Sequence, residues 1–377
     1  MFCAGKKNSF FLTEDGVFAC GENQSGQLGL GSTKTTGVRK IKSLPPIASI
    51  VQTRGKHSIF LDANGTAFCC GSNKSGQLGL GTSFKDQPLP VKIPHGSHFV
   101  GGCCGPSQSF LIDNNNSVWC TGSNFNGALG VPTDGGNIYN FTKIDTLPDI
   151  VSVSSSNHTL FLDCHGVVWG CGANDLGQLG PDLPKRVEGS PVQLANLPKI
   201  TEIAAAESHS LFLDENGGVW GCGEANRPLN SASEDPIVKL DIPFPVKAIS
   251  FAYQHGLLLN FDGAVWSFGL GSLGVLGYCI DEREKWVWRR PTPITNLPPI
   301  KAIGTGYDHS LFIDNTNSVW SCGSNQGQLG TSNMRQPSFR WVSNNTRIRL
   351  KDTSIAKIPT KSARKVYQSE IIEGSAS

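Results

Sequence analysis

The sequence lacks any long hydrophobic run. No stretch of about 18 consecutive apolar residues occurs in the 377 residues, so we expect no membrane-spanning helix. The first residues, Met1–Asn8, contain no apolar core of about 7–15 residues before a small-residue cleavage site, so we expect no secretory signal. These absences predict a soluble intracellular protein without a membrane partner, located in the cytoplasm, the nucleus or both.

Charged residues are also scarce, at 16% of the chain, and the net charge of +2 excludes a protein whose whole surface attracts nucleic acid. The positive charge is concentrated near the end: residues 331–377 contain nine Lys or Arg and three Asp or Glu. Nucleic acid could therefore be contacted only through this tail. Because its basic residues are dispersed among Ser, Asn and Thr, we favour a solvated segment there.

The twelve cysteines lack the spacing of a metal site or a disulfide framework. The adjacent pairs Cys69-Cys70 and Cys103-Cys104 do not form the paired C-x-x-C motif that zinc sites use. Five cysteines occupy one repeated position, immediately before a repeated glycine, and cannot all pair: Cys20, Cys70, Cys171, Cys222 and Cys322. We interpret them as small buried hydrophobic residues and predict neither a metal nor a cofactor.

Catalytic motifs are absent as well. No Ser-His-Asp arrangement, Walker loop or pair of carboxylates stands out, and the glycine-rich loops lack the Lys-Ser/Thr that a phosphate-binding loop requires. We therefore predict no catalytic residue.

Glycine and proline are abundant instead, with 44 and 22 residues. A glycine that ends an apolar segment recurs seven times, at spacings of 50, 51, 50, 51, 46 and 54 residues. Self-similarity at such a period indicates a repeat architecture. The repeats are centred on Gly21, Gly71, Gly122, Gly172, Gly223, Gly269 and Gly323.

The second copy shows the content of one repeat. His57–Asp62 is an apolar segment of strand length, Asn64-Gly65 is a hairpin turn, and a second apolar segment ends at Cys70. Pro-marked segments such as Val91–Pro94, and a further apolar segment such as Ile47–Val51, complete four strands per repeat. We predict an all-β fold, a seven-bladed β-propeller of four-stranded antiparallel blades, because radial closure buries sheet faces and removes exposed edges. An open β-solenoid is the alternative, but its repeats are usually much shorter.

The two ends of the chain bear on closure of the ring. Ile355–Pro359 matches the outer strand Val91–Pro94, so we predict a propeller over residues 1–360, with an exposed excursion at 331–354. Residues 361–377 form a basic C-terminal tail that is expected to aid closure.

The repeat resembles that of the regulator of chromosome condensation family over residues 1–330. The seventh copy carries the resemblance well, with Ile303–Ile313 (IGTGYDHSLFI) followed by Gly323–Gly330 (GSNQGQLG). The resemblance implies a seven-bladed propeller. Its founding member is an exchange factor for the small GTPase Ran, and other members are photoreceptors, ubiquitin-ligase modules and scaffolds.

Two functions follow from the resemblance. The first is a protein-interaction propeller that regulates a small GTPase as a guanine-nucleotide exchange factor does, without active-site chemistry of its own. The alternative is a scaffold or adaptor without exchange activity, so the enzymatic status stays open. Either requires a protein partner, and we expect the chain itself to be monomeric.

Periodic residues are more economically explained by structure than by chemistry. One repeat position carries His57, His158, His209, His255 and His309, which we interpret as structural residues that hydrogen-bond a turn, because equivalent positions in separate blades cannot share a metal. A second position carries Trp119, Trp169, Trp220, Trp266 and Trp320, which we interpret as packing between blades.

Residues that the repeat does not require are the candidates for binding a protein. In the Ran exchange factor the turns before the repeat His contact the GTPase and a wedge at the third loop reaches the nucleotide, which implies Phe125 and Asn126 here. The family's carboxylates before the third and fourth repeat His correspond to Pro106-Ser107 and Ser156-Asn157, none of them acidic. Trp286 and Trp288, flanked by Arg and Lys, lie outside the consensus and either bind a partner or pack on a neighbouring blade. The candidates in the turns are Lys6, Lys7, Lys56, Glu207, Tyr253, Gln254, Tyr307 and Asp308.

Overall fold

Each repeat folds into one sheet, because its apolar segments alternate with glycine- and asparagine-containing turns that reverse the chain. The computed structural model describes residues 1–330, apart from 83, 134–135, 181, 225–236, 279, 281–286 and 326, together with 340–341; at 52, 53, 188, 340 and 341 it describes the backbone alone. No helix in these ranges is long and apolar enough to span a membrane.

The strands of the seven blades follow in chain order. Blade one comprises β1 (Phe2–Ala4), β2 (Asn8–Thr13), β3 (Gly16–Gly21) and β4 (Thr36–Lys40), and blade two comprises β5 (Ile47–Ile50), β6 (Gln52–Thr53), β7 (His57–Asp62), β8 (Ala67–Gly71) and β9 (Gln87–Lys92). Blade three comprises β10 (Phe99–Cys104), β11 (Gln108–Asp113), β12 (Val118–Gly122) and β13 (Ile138–Lys143), blade four comprises β14 (Ile150–Ser155), β15 (His158–Asp163), β16 (Val168–Ala173) and β17 (Arg186–Gln193), and blade five comprises β18 (Ile200–Ala205), β19 (His209–Asp214), β20 (Val219–Gly223) and β21 (Val238–Lys239). Blade six comprises β22 (Val246–Ala252), β23 (His255–Asn260), β24 (Val265–Leu270) and β25 (Trp288–Pro293), and blade seven comprises β26 (Ile300–Thr305), β27 (His309–Asp314), β28 (Val319–Gly323) and β29 (Arg340–Trp341).

Apart from β6, the strands within each blade are antiparallel and adjacent in chain order, and the inner strands of successive blades contact one another around a central axis. The prediction of an all-β, seven-bladed propeller is therefore confirmed. Blade two departs from the pattern, because β5 ends at Ile50 and β6 pairs in parallel with β10 of blade three.

The core lies between the faces of neighbouring blades. The rings of Phe10 and Phe60 meet edge to face at 5.6 Å between blades one and two, and those of Phe110 and Phe161 do so at 5.8 Å between blades three and four. Burying one such side chain stabilises the fold by about 1.5–3 kcal/mol. The fully buried phenylalanines among the described residues are Phe10, Phe11, Phe60, Phe110, Phe161, Phe212, Phe251, Phe268 and Phe312.

The repeated glycine has a conformational reason. Gly71 has φ of +103°, and a Cβ at this position would lie 2.5 Å from the carbonyl oxygen of Lys56. A side chain is therefore excluded both by strain and by the close approach of the preceding turn. The preceding Cys20, Cys70, Cys171, Cys222 and Cys322 are free and buried, as predicted.

The ring closes through side chains at the junction of blades seven and one. His309 Nε2 and Ser9 Oγ are 3.0 Å apart, and Ser9 Oγ donates to the Gln328 carbonyl at 2.7 Å. Arg340–Trp341, inside the segment expected to form an excursion, pair with β28 as the fourth strand of blade seven. Ile355–Pro359 and the tail at 361–377 lie outside the described residues, so their part in closure stays a prediction.

Candidate functional site

One end of the propeller carries two sets of loops. The start of each second strand pairs with the end of the third, as His57 pairs with Gly71. The turn before the repeat His and the loop after the repeat Gly therefore leave the blade at the same end, while the hairpin turn between second and third strands lies at the other. We call this end the turn face. It is formed by the loops after the repeat glycines and by the seven turns before residues 8, 57, 108, 158, 209, 255 and 309.

The repeat histidines stabilise the junctions between blades. The Nε2 atoms of His57, His158 and His255 lie 2.8, 2.8 and 3.0 Å from the Oγ of a serine on the second strand of the next blade. Burial lowers the pKa of His57 to about 4 and that of His158 to about 3, so both are neutral at physiological pH. Their role is structural, as predicted, but these Nε2 atoms face the neighbouring second strand and not a turn.

The periodic tryptophans are only partly buried and tie their strands to the hairpin turns. The indole N–H groups of Trp119, Trp220 and Trp320 each donate to Oδ2 of an aspartate six residues earlier at 2.9 Å. They pack against the clusters between blades as partly buried residues. No group of three His, Cys, Asp or Glu side chains in the described ranges is placed to hold a metal ion.

The mouth of the axial channel opens on the turn face. A cavity of about 190 Å³ lies there, lined by residues from all seven blades, Tyr253 and Tyr307 among them. The two tyrosine rings stack at a centroid distance of 3.7 Å, and Lys6 Nζ lies 5.1 Å from the Tyr307 centroid. Burial, followed by a hydrogen bond with the Tyr253 side chain, raises the pKa of Tyr307, so it remains a neutral phenol. Exposed Glu207 lines the same cavity.

The other turn candidates lie outside the channel lining. Lys56 forms an ion pair with Glu22 at 3.3 Å, and Lys7 and Gln254 are partly exposed. Asp308 is only 8% exposed, because its carboxylate accepts a 3.1 Å hydrogen bond from Gln328 Nε2 inside the junction of blades seven and one. Asp308 is thus engaged within the ring.

The third loop presents an apolar side chain. Phe125–Gly127 form a short 3₁₀ turn that packs against β16 and β17 of blade four, and Asn126 has φ of +58°. Phe125 is 72% exposed. The loop thus places a large hydrophobic residue on the turn face, away from the axis.

Trp288 packs inside the molecule. Its ring lies 5.3 Å from that of His209 and joins the cluster that contains Phe251 and Phe268, between blades five and six. This contact matches the packing alternative for Trp288. Trp286 lies outside the described residues.

Sequence reasoning missed Arg54. It lies three residues before the repeat His, where the other six copies have Gly, Ser or Ala, and its side chain lines the channel cavity. Alignment of the seven copies position by position would have revealed Arg54, because the other six residues at its position are small. The small residues at this position are Gly5, Gly105, Ser155, Ala206, Ala252 and Gly306.

Similar proteins cover parts of this chain. The Drosophila melanogaster regulator of chromosome condensation is 31% identical over 44% of this chain and 31% of its own length. The guanine nucleotide exchange factor SRM1 of Saccharomyces cerevisiae is 30% identical over 46% of the chain and 45% of its own length. A mouse RCC1-like G exchanging factor-like protein is 25% identical over 67% of the chain and 59% of its own length. The chain thus spans less than two thirds of each of these relatives.

Solved structures share the fold. Yeast Prp20p superimposes with a TM-score of 0.75 at 20% identity, covering 97% of this chain and 95% of that one, and human WBSCR16 with 0.76 at 20% identity, covering 87% and 94%. The model of the regulator of chromosome condensation (RCC1) repeat matches residues 14–60, 64–112, 165–213 and 262–313, and a second RCC1 repeat model matches 300–328. These matches extend over more than half of the sequence, and the chain belongs to the RCC1 repeat family.

Proposed function

We propose that the turn face binds a small GTPase and that the protein regulates it as a guanine-nucleotide exchange factor does. The observation that carries the proposal is the stacked pair Tyr253 and Tyr307, with Lys6 and Glu207 beside it, at the mouth of the channel. These side chains occupy a position, two residues before the repeat His, where the residue type differs between the copies. Aromatic and charged residues in such a patch are typical of binding hot spots.

The relatives support this proposal. SRM1 carries the name of an exchange factor, and so does the mouse relative, while Prp20p has been characterised for binding to Gsp1p and histones. Exposed Phe125 lies on the same face, at the loop where the family's wedge is implied.

Exchange of this kind needs no bond chemistry. A partner that binds the nucleotide-free GTPase more tightly than the nucleotide-bound form lowers nucleotide affinity by the same factor, because the two binding equilibria are linked. The structure therefore has to provide surface complementarity.

Release of a fluorescent guanine nucleotide from a panel of Ran, Rab, Arf and Rho proteins tests the proposal. We expect faster release from one class of GTPase with the wild-type propeller. Tyr253→Ala should slow this release by about 10-fold or more, since truncation of an aromatic hot spot costs about 2 kcal/mol. Charge reversal in Glu207→Lys should have a smaller effect, because its carboxylate is exposed and screened.

Glu215→Lys is the matched control, since Glu215 is exposed at a hairpin turn of blade five on the opposite end of the propeller. It should leave nucleotide release unchanged. Equal rates for wild type, Tyr253→Ala and the control would show that the turn face is not the exchange surface.

A scaffold without exchange activity is the second candidate. The turns at Pro106-Ser107 and Ser156-Asn157 lack the acidic residues that the family's exchange mechanism implies at these places. Stable binding of a GTPase or another protein to the turn face, together with unchanged nucleotide release across the panel, would favour the scaffold.

A further inference from the structure

One described side chain at the inner end of the blades is far larger than its counterparts in the other copies. The residue three positions before the repeat His ends the inner strand or follows it directly, and in six blades it is Gly, Ala or Ser. Seven large side chains could not share the narrow space around the axis. Arg54 of blade two is the exception, and its placement depends on a local change in the backbone.

The inner strand of blade two is drawn toward blade three. The Val51 amide still donates to the Ile59 carbonyl of β7 at 3.0 Å, but the next residues pair with β10 through β6, and the Arg54 amide donates to the Cys104 carbonyl at 2.8 Å. The next residue, Gly55, lies so close to blade three that a Cβ would be 2.6 Å from the Gly105 carbonyl oxygen. Arg54 and the glycine after it therefore form one departure from the repeat.

The Arg54 side chain crosses the channel to the far side of the ring. Its Nη2 donates to the Phe251 carbonyl at 2.7 Å, and its Nη1 donates to the Ala205 carbonyl. The guanidinium of blade two thus contacts blades five and six. Two of its five N–H groups have these acceptors, and Arg54 is among the residues that line the cavity.

The charge of Arg54 has no counter-ion in the described parts of the chain. No described carboxylate lies within 4.0 Å of the guanidinium, and the titratable groups that interact with it are the thiols of Cys103 and Cys3 and the neutral imidazole of His158. Burial lowers the pKa of Arg54 from its ordinary value, but an arginine remains protonated at neutral pH. Arg54 is partly buried, and backbone carbonyls offset only part of the cost of the water that its charge loses.

The cavity above Arg54 limits what could provide that counter-ion. Its volume, about 190 Å³, is below the ~300–1,000 Å³ of pockets that hold drug-sized ligands, which favours a single side chain over a larger ligand. One side chain fits. Lys6 adds a second cation to the lining, and Ser156 with the tyrosine pair adds further polar groups. The exposed Glu207 at the same mouth is screened by solvent.

We propose that this cavity binds the carboxylate of an acidic side chain from the protein partner, with Arg54 as its counter-ion. The proposal rests on the proposed function, because it takes the turn face as the protein-binding surface. An Asp or Glu inserted on the axis would fix the partner over the channel, since a guanidinium recognises a carboxylate with directed hydrogen bonds. The chain's own tail, with a net charge of +6 over residues 331–377, is a poor occupant on charge grounds.

The test uses the full chain with isotope-labelled arginine and no partner. The Arg54 Nε–H resonance, assigned by its absence in Arg54→Lys, is followed by NMR while a capped glutamate (N-acetyl-glutamate N-methylamide) is added at constant ionic strength. We expect a saturable shift with a dissociation constant on the order of 1 mM, as for a single ion pair in a preformed pocket. The capped glutamine of the same shape should produce no shift.

Three outcomes overturn the proposal. The Arg54 resonance could stay unmoved up to about 50 mM capped glutamate, which would mean binding weaker than about 2 kcal/mol. It could respond equally to the capped glutamine. It could respond to inorganic phosphate alone, in which case the cavity is a phosphate site.

Arg54→Met and Arg39→Met provide the matched pair of variants. Arg39 is exposed on β4, so its substitution should leave binding of the capped glutamate and of the partner unchanged. Arg54→Met should abolish capped-glutamate binding and weaken the partner by about 10-fold. The wild-type titration decides the proposal even if Arg54→Met fails to fold, and because it needs no partner, a flat nucleotide-release panel does not affect its outcome.

Discussion

The junction between blades four and five differs from the junction between blades five and six. At the first, His158 Nε2 lies 2.8 Å from Ser210 Oγ, and Ser210 Oγ donates to the Gln178 carbonyl at 2.6 Å. The thiol of Cys222, opposite Ser210 in the ladder, points to the same carbonyl at 3.2 Å. A histidine, a serine, a cysteine and a loop carbonyl thus connect the two blades.

At the second junction the same positions carry different residues. Gly256 replaces the serine and Phe268 replaces the cysteine opposite it. His209 Nε2 has no hydrogen-bond partner among the described residues, and the His209 ring packs instead against Phe251 and Trp288. The loop that would supply the carbonyl is the degenerate Gly223–Asn230.

The same backbone geometry thus accommodates two kinds of junction between blades. Where the loop provides an acceptor, small polar residues connect the blades through hydrogen bonds. Where the loop sequence is degenerate, a large aromatic ring fills the space that the serine and cysteine leave, and burial replaces the polar contacts.

Removal of that ring should have the largest effect. Phe268→Cys restores the common residue but leaves a cavity beside Gly256, so we expect a loss of about 3 kcal/mol in the free energy of unfolding, measured with urea. Phe261→Cys is the control, because Phe261 is 66% exposed and its loss should change stability by less than about 0.5 kcal/mol. Similar losses in both variants would mean that Phe268 does not fill the junction.

Gly256→Ser should come next. A Cβ at residue 256 would overlap the Phe268 ring, and overpacking of this kind costs about 1–3 kcal/mol. Combined with Phe268→Cys, the serine has room and faces His209, so the double variant should be more stable than the sum of the single losses predicts, by about 1 kcal/mol or more. If the losses of unfolding free energy in the two single variants simply add in the double variant, residues 256 and 268 do not interact at this junction. That result would contradict the interpretation that a hydrogen-bonded junction can replace the aromatic one.

Replacement of the repeat histidines should have the smallest effect on the free energy of unfolding at pH 7. It also separates the contribution of their hydrogen bonds from that of their protonation. His158→Asn should cost about 1 kcal/mol at pH 7 through its serine partner, and His209→Asn should cost less. Burial lowers the pKa of His158 to about 3 and that of His209 to about 4. Below a pH of about 6.5 the unfolded chain binds the proton and the native state does not, so stability falls as pH falls toward these values.

Each Asn variant should therefore flatten the fall of unfolding free energy between pH 6.5 and pH 4 by up to about 1.4 kcal/mol per pH unit. The measurement is a urea unfolding series over that range. An unchanged slope in both variants would show that these histidines are protonated in the native state.

The sequence allowed the seven blades, the free cysteines and the structural histidines to be predicted, because each follows from a fixed position in a period of about 50 residues. The direction of individual turn side chains did not follow from the pattern. Glu207 and Asp308 are both acidic residues of these turns, yet Glu207 is exposed while Asp308 faces Gln328 inside the ring. Such a difference depends on which neighbour the loop of the adjacent blade presents.

Arg54 shows a different limit. Its departure from the small residues at its position is visible in the sequence, but the placement of its side chain in the channel depends on β6, which pairs with the next blade. Pairing between strands of different blades depends on the assembled ring, so it cannot be predicted from the strand propensity of the local sequence.

The contact of Ser9 with His309 and with the Gln328 carbonyl has a consequence for the integrity of the ring. Among the described residues blades one and seven share no strand, and the histidine, serine, cysteine and loop carbonyl at their junction make the same contacts as those between blades four and five. The junction of blades five and six, which lacks these hydrogen bonds, is therefore less like its neighbours than the junction at which the first and last blades meet. Because separation at any one junction opens the ring, the resistance of the propeller to opening is set by its weakest junction.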